Sequence, residues 1–94
     1  MFDYFSSILG LLAAALTSLS YIPQLQKAWP RGATGDISLK MLVVLCTGLS
    51  LWIVYGLVQR DWIVAIANFV GLSLVGAVLT CKFRDLRFDV KGKA

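Results

Sequence analysis

Residues 4–26 carry no charged side chain, yet Pro23 and Gln24 lie inside that run. A helix that crosses a bilayer needs about 20 predominantly apolar residues. Residues 41–58 and 62–81 form two further stretches of suitable length and composition. The chain has 94 residues, 59% of them hydrophobic and only 15% charged. A small domain leaves a large share of its surface exposed, so a water-soluble fold of this size could not hide that much apolar area. The expected fold class is therefore an all-α membrane protein, a bundle of three transmembrane helices forming one domain. The spans are expected at about residues 4–27, 40–58 and 62–81, followed by a basic tail at 82–94. The first run is too long for the apolar core of a cleavable signal, and Asp3 stands where a signal would carry a basic residue, so it is read as a permanent span.

Pro23 constrains the first span further. Proline has no N–H to donate, and its ring crowds the carbonyl four residues earlier, that of Leu19. A broken helix in lipid is tolerated where protein, hydroxyl side chains or a water-filled cavity satisfies the freed group. Thr17, Ser18 and Ser20 lie just upstream and are expected to do so. A kink with a polar residue beside it points to a moving part next to a water-accessible path.

Basic residues set the expected orientation. Lys27, Arg31 and Lys40 flank the first connection, and Lys82, Arg84, Arg87, Lys91 and Lys93 lie in the tail, whereas the opposite side has Arg60 alone. The positive-inside rule places the first loop and the tail in the cytoplasm, with the N-terminus and the turn at residues 59–61 outside. The net charge of +4 needs no nucleic acid to explain it, since a basic tail is favoured near anionic headgroups. The loop at residues 28–39 contains Pro30, Gly32 and Gly35 and is expected to end near Asp36 or Ser38, either of which suits a helix N-cap. The second connection is so short that spans two and three must be antiparallel neighbours.

Asn68 is the one amide in the middle of a span, and an unsatisfied amide in hydrocarbon is costly, so it should face protein or an aqueous cavity. Trp52 lies mid-span, whereas membrane tryptophans favour the interfaces, where Trp29 and Trp62 are expected. Trp52 and Asn68 are similarly far from the turn that joins their helices, so they should share a depth. An indole face and an amide at one level suit a neutral, hydroxyl-bearing solute: the ring stacks on C–H faces, and the amide both donates and accepts. Each of these residues also has a purely structural use, as an interhelical hydrogen bond for Asn68 and as core or lipid-facing packing for Trp52. Gly10, Ala14 and Ser18 on span one, and Ala67 and Gly71 on span three, recur at the four-residue spacing that lets membrane helices approach closely.

Several classes are disfavoured. No Asp, Glu, Lys, Arg or His lies in the central part of a span, which argues against an ion-driven pump. Histidine is absent, and Cys46 and Cys81 have no metal-ligand spacing. No nucleophile–base pair is visible, so an enzyme is not expected, nor is a cofactor or a metal. A drug-efflux dimer of similar size would need a membrane-embedded glutamate, and there is none. Three helices cannot surround a solute path and also bury their own polar faces. A parallel homodimer, two-fold about the membrane normal, would bring Trp52 and Asn68 of both copies to one central cavity. The alternative reading is a structural subunit of a larger membrane complex.

Four segments carry a resemblance: Tyr21-Ile22-Pro23-Gln24; Thr34-Gly35-Asp36-Ile37-Ser38; Ser50-Leu51-Trp52-Ile53-Val54-Tyr55-Gly56; and Ile66-Ala67-Asn68. In this order and spacing the chain resembles the SemiSWEET transporters, bacterial half-size relatives of the SWEET sugar carriers in the PQ-loop (MtN3) superfamily. The resemblance covers nearly the whole chain. It implies a multi-pass protein of the bacterial inner membrane, with span three between spans one and two, assembled as a parallel six-helix homodimer. It implies facilitated, alternating-access uniport of a neutral mono- or disaccharide bound by Trp52 and Asn68, with Pro23 and Gln24 as the hinge. It also implies an outer gate built, in relatives, from a tyrosine matching Tyr55, an arginine, and an aspartate matching Asp61. Here the arginine position is Gln59, with Arg60 beside it, so Arg60 would have to act from a neighbouring helical angle.

Overall fold

The computed structural model describes residues 4–93, with side chains described for residues 4–87. Asp3, and the side chains of Lys91 and Lys93, therefore lie outside the described residues. Three helices follow in order: α1 (Tyr4–Ala28), α2 (Leu39–Val58) and α3 (Trp62–Lys93). All three are long and apolar enough to cross a membrane. α3 packs against both α1 and α2, and α1 and α2 make no direct backbone contact with each other among the described residues. α3 is thus the middle of a single layer. The bundle is 58 Å long and only 14 Å through its thinnest direction, close to the ~10–12 Å diameter of one helix with its side chains. Both faces of this layer are open, so one copy does not surround a path.

The core lies toward the end of the bundle that carries the first loop. Leu42, Leu49, Val75, Val78 and Cys81 cluster there with Ala28. In α1 the half-buried or buried positions are 7, 10, 14, 18, 21, 25 and 28, a helical stripe that faces α3. Only Ala28 of α1 is fully buried. At the opposite end α2 and α3 meet closely: a Cβ on Gly56 would stand 2.7 Å from the backbone nitrogen of Ala65.

α1 runs as one helix through Pro23. The expectation that an upstream hydroxyl bonds the Leu19 carbonyl is not met. Ser20 Oγ instead donates to the Thr17 carbonyl at 2.6 Å, and no hydroxyl of Thr17, Ser18 or Ser20 reaches Leu19 among the described residues. The reason is directional. A hydroxyl in a helix bonds carbonyls three or four residues before it, so only side chains downstream of Leu19 could serve it. The same habit satisfies four hydroxyls of α2 and α3: Thr47 donates to Val43 at 2.8 Å, Ser50 to Cys46 at 2.8 Å, Ser73 to Phe69 at 3.0 Å and Thr80 to Gly76 at 2.9 Å. Each side chain then presents little unpaired polarity to lipid.

The connections are built from specific caps. Ser38 is the N-cap of α2, its side chain accepting from Met41 N–H at 3.2 Å, while Asp36 pairs with Lys27 at 3.4 Å on the surface. The second turn closes α2 with a bond from Asp61 N–H to Gly56 O at 2.7 Å and one from Arg60 N–H to Leu57 O at 3.2 Å. That pair is the Schellman arrangement, which calls for a left-handed residue just past the helix. Arg60 fills the position with φ 55.

α3 does not stop where the apolar run ends at Cys81 but continues as helix to Lys93. Nor are its first basic residues spread toward headgroups. Lys82 and Arg84 turn back onto the backbone of the first loop.

Candidate functional site

The stripe of small residues on α1 leaves space against α3. A cleft of about 310 Å³ lies there, lined along α1 by Gly10, Ala14, Thr17, Ser18 and Tyr21, and on α3 by Asn68 and Gly71 among others. Close backbone approach explains its shape. A Cβ on Gly10 would rest in ordinary contact with Ile63 at 3.4 Å, whereas one on Gly71 would press on the Tyr21 ring edge at 3.2 Å. The polar groups in the cleft are few: one amide and the three hydroxyls of Thr17, Ser18 and Tyr21.

Asn68 sits in α3 with Nδ2 donating to the Val64 carbonyl at 2.8 Å. This bond within its own helix fixes the amide plane. Its Oδ1 accepts no hydrogen bond among the described residues, so it is available together with the second N–H. Asn68 is thus half-buried, held from behind, and open on the cleft side.

Trp52 is not part of that cleft lining. It lies on α2, 54% exposed, with its ring edge-on to Tyr55 (centroids 5.5 Å apart, interplanar angle 86°). An exposed indole mid-span, braced by a second aromatic ring, is a large flat surface with no ring partner other than Tyr55 among the described residues. Leu49, one turn before Trp52, does line the cleft.

Pro23 and Gln24 are both exposed on α1, beyond the loop-side end of the cleft. Tyr55, Gln59, Arg60 and Asp61 gather at the α2–α3 turn. Asp61 caps α3, with Oδ1 accepting from Val64 N–H at 3.2 Å. Gln59 ends α2, its N–H bonding Tyr55 O at 3.0 Å. Among the described residues Arg60 forms no ion pair with Asp61 within the protomer.

The sequence gives no sign that Thr17, Ser18 and Tyr21 share a cleft: Ser18 recurs with Gly10 and Ala14 at a spacing that suits helix packing. Only the cleft shows that this stripe leaves a void.

A layer of three membrane-length helices, with a neutral polar cleft along its middle helix, defines a multi-pass membrane protein whose mid-span chemistry is that of hydrogen bonding rather than charge. Comparison with known proteins makes the assignment specific. The family model described as PQ loop repeat matches residues 5–65. The chain is 36% identical to a sugar transporter SemiSWEET of Bradyrhizobium diazoefficiens over 89% of its length and 98% of that protein's. It is 34% identical to a sugar transporter SemiSWEET of Leptospira biflexa over 84% of its length and 93% of that protein's. A third such transporter, from Escherichia coli, is 40% identical over 74% of this chain and 79% of its own. The chain belongs to the SemiSWEET family of PQ-loop proteins. No solved structure gives a significant match.

Proposed function

We propose that this protein is a sugar transporter that moves a neutral mono- or disaccharide down its gradient by alternating access, working as a parallel six-helix homodimer. The observation that carries the reading is the cleft beside Asn68, a neutral mid-span space whose amide is braced on one side and unpaired on the other. Oriented amides and hydroxyls recognise sugar hydroxyls, and an exposed indole recognises the C–H face of the ring. In the dimer, Trp52 and Asn68 of both copies bind the sugar at the midplane, where transporter sites commonly lie. The layered shape supports the dimer, because a single layer leaves the cleft open and a second copy laid over it encloses it.

No Asp, Glu, Lys, Arg or His lines the cleft, which supports uniport, since ion coupling generally needs such a group. Pro23 and Gln24 form the hinge of α1. Tyr55, Gln59, Arg60 and Asp61 form the outer gate, closing across the two-fold axis. The loop and the basic end of α3 face the cytoplasm, and the protein resides in the bacterial inner membrane.

The test is counterflow of a panel of radiolabelled sugars into vesicles containing the purified protein. At least one sugar is expected to exchange, and Trp52→Ala and Asn68→Ala are each expected to abolish its flux while still inserting. Normal uptake by both variants would remove the site. No exchange of any sugar, with the protein stable only beside a foreign subunit, would replace transport with a structural role.

A further inference from the structure

α1 is held to the rest of the protomer very unevenly. Its only fully buried residue is Ala28, at its foot; Leu25 and Tyr21 pack partly buried against the core, and from Ser18 toward its N-terminus it faces α3 across small residues and the cleft. At the foot, three charged side chains of α3 take hold of the chain as it leaves α1. Arg84 donates to the carbonyls of Trp29 at 2.7 Å, Pro30 at 2.9 Å and Ala28 at 3.2 Å. Asp85 accepts from the Gly32 N–H at 2.9 Å, the Thr34 N–H at 3.1 Å and the Thr34 hydroxyl at 2.6 Å. Arg84 Nε donates to Asp85 Oδ1 at 2.9 Å, and Lys82 Nζ donates to the Thr34 carbonyl at 2.7 Å.

The chemistry of this clamp is complete. The last carbonyls of a helix lack intrahelical partners and carry the negative end of its dipole. A guanidinium with forked donors satisfies several of them at once. The carboxylate takes the loop's N–H groups in return, and the two ions offset each other. Ala28 and Thr34 are fully buried, and Lys82 is 9% exposed. Pulling the foot off α3 would strip partners from an ammonium, a guanidinium and a carboxylate together, which is far costlier than sliding a row of small apolar side chains. Pro23 lies between one and two turns before this foot, where the helix lacks a backbone bond.

Resting on the transport reading, we propose that Lys82, Arg84 and Asp85 are positioning residues for transport. They weld residues 28–34 to the loop end of α3, so that bending at Pro23 is delivered to the arm at residues 4–22, and the α1–α3 cleft changes shape by motion of that arm. The foot of α1 and α3 move as one body throughout the cycle.

Cys81 is a built-in reporter of the clamp. It is 6% exposed and packed in the same cluster as Ala28, so it becomes reachable when the foot lifts. The experiment is N-ethylmaleimide modification of the protein in lipid vesicles, followed separately at Cys81 and Cys46 by peptide mass spectrometry. Cys81 of the parent is expected to react at least tenfold more slowly than in Arg84→Gln, with no change when sugar exchange is switched on, and with Cys46 reacting alike in both. Cys81 reacting as fast in the parent as in the variant, or accelerating tenfold during exchange, would overturn the weld. If Cys46 also accelerates in Arg84→Gln, that variant has lost its fold and Arg84→Lys takes its place, keeping the charge but not the fork. In counterflow the clamp variant is expected to exchange sugar at least tenfold more slowly with an affinity within twofold of the parent. An unchanged or faster rate would also overturn the proposal. A parent that exchanges no sugar would defeat the transport reading instead, and the thiol rates would still decide whether the foot stays closed.

Discussion

Gly56→Ala is the sharpest test of how α2 and α3 are held together. The added methyl would stand 2.7 Å from Ala65 N and 3.1 Å from both Ala65 Cα and Asp61 O. All three are backbone atoms, so no side chain can swing aside. To reach ordinary contact the helices must part until the closest of these distances is at least 3.4 Å. The turn beside them is held to α2 by Asp61 N–H to Gly56 O at 2.7 Å, and that bond stretches or breaks with the same movement. Overpacking of this kind costs about 1–3 kcal/mol, and the unyielding contact puts Gly56 near the upper end. Alanine's better helix propensity returns about 1 kcal/mol. The net expectation is a loss of about 2 kcal/mol, roughly a 30-fold shift in the unfolding equilibrium. Unfolding of the purified protein in mixed micelles, followed by circular dichroism, measures it. Gly76→Ala is the control, because a Cβ there meets nothing within 4 Å of it, and it should be neutral or slightly stabilising. Gly56→Ala unfolding at or above the parent's midpoint would refute the close approach and the turn geometry drawn from it.

Other outcomes follow from single positions. Arg60→Gly should stabilise the protein by about 1 kcal/mol in the same assay, because a side chain at φ 55 carries a left-handed penalty that glycine avoids; a loss of stability would mean that the Arg60 side chain makes contacts worth more than that strain. Pro23→Ala restores an N–H to face the Leu19 carbonyl and should slow sugar exchange with little change in affinity. An unchanged rate would mean that α1 does not bend there. Sugar flux in sealed vesicles should follow the sugar gradient and ignore an imposed proton gradient, and accumulation driven by pH would refute uniport.

Much of the architecture was legible along the chain because lipid imposes a one-dimensional rule. The uncharged runs correspond to α1, α2 and the apolar part of α3, and the short turn at residues 59–61 forces α2 and α3 to be antiparallel. Ser38 as a helix cap could be named, though not chosen over Asp36, since both are good acceptors and only geometry shows which oxygen meets the Met41 N–H. Asn68 could be picked out as the mid-span amide, but not the bond from its Nδ2 to the Val64 carbonyl. Direction along the helix was the point most easily missed. Thr17, Ser18 and Ser20 are near Leu19 in number, yet a helical hydroxyl reaches backward, so none of them serves its carbonyl.

The charged end of α3 divides the two sources of information most clearly. Basic residues after a span read as a membrane-surface tail, because charge counted along a chain carries no bearing on partners far away in sequence. Folding brings residues 28–34 against Lys82, Arg84 and Asp85, and the unpaired carbonyls and N–H groups of that loop take up the charges. Hydropathy, helix length and the family pattern are properties of successive residues, so the sequence alone determined the spans and the family. Which side chains line the cleft, how α1 is fastened at its foot, and that Arg60 must be left-handed depend on distances between helices, and only the packed layer decided them.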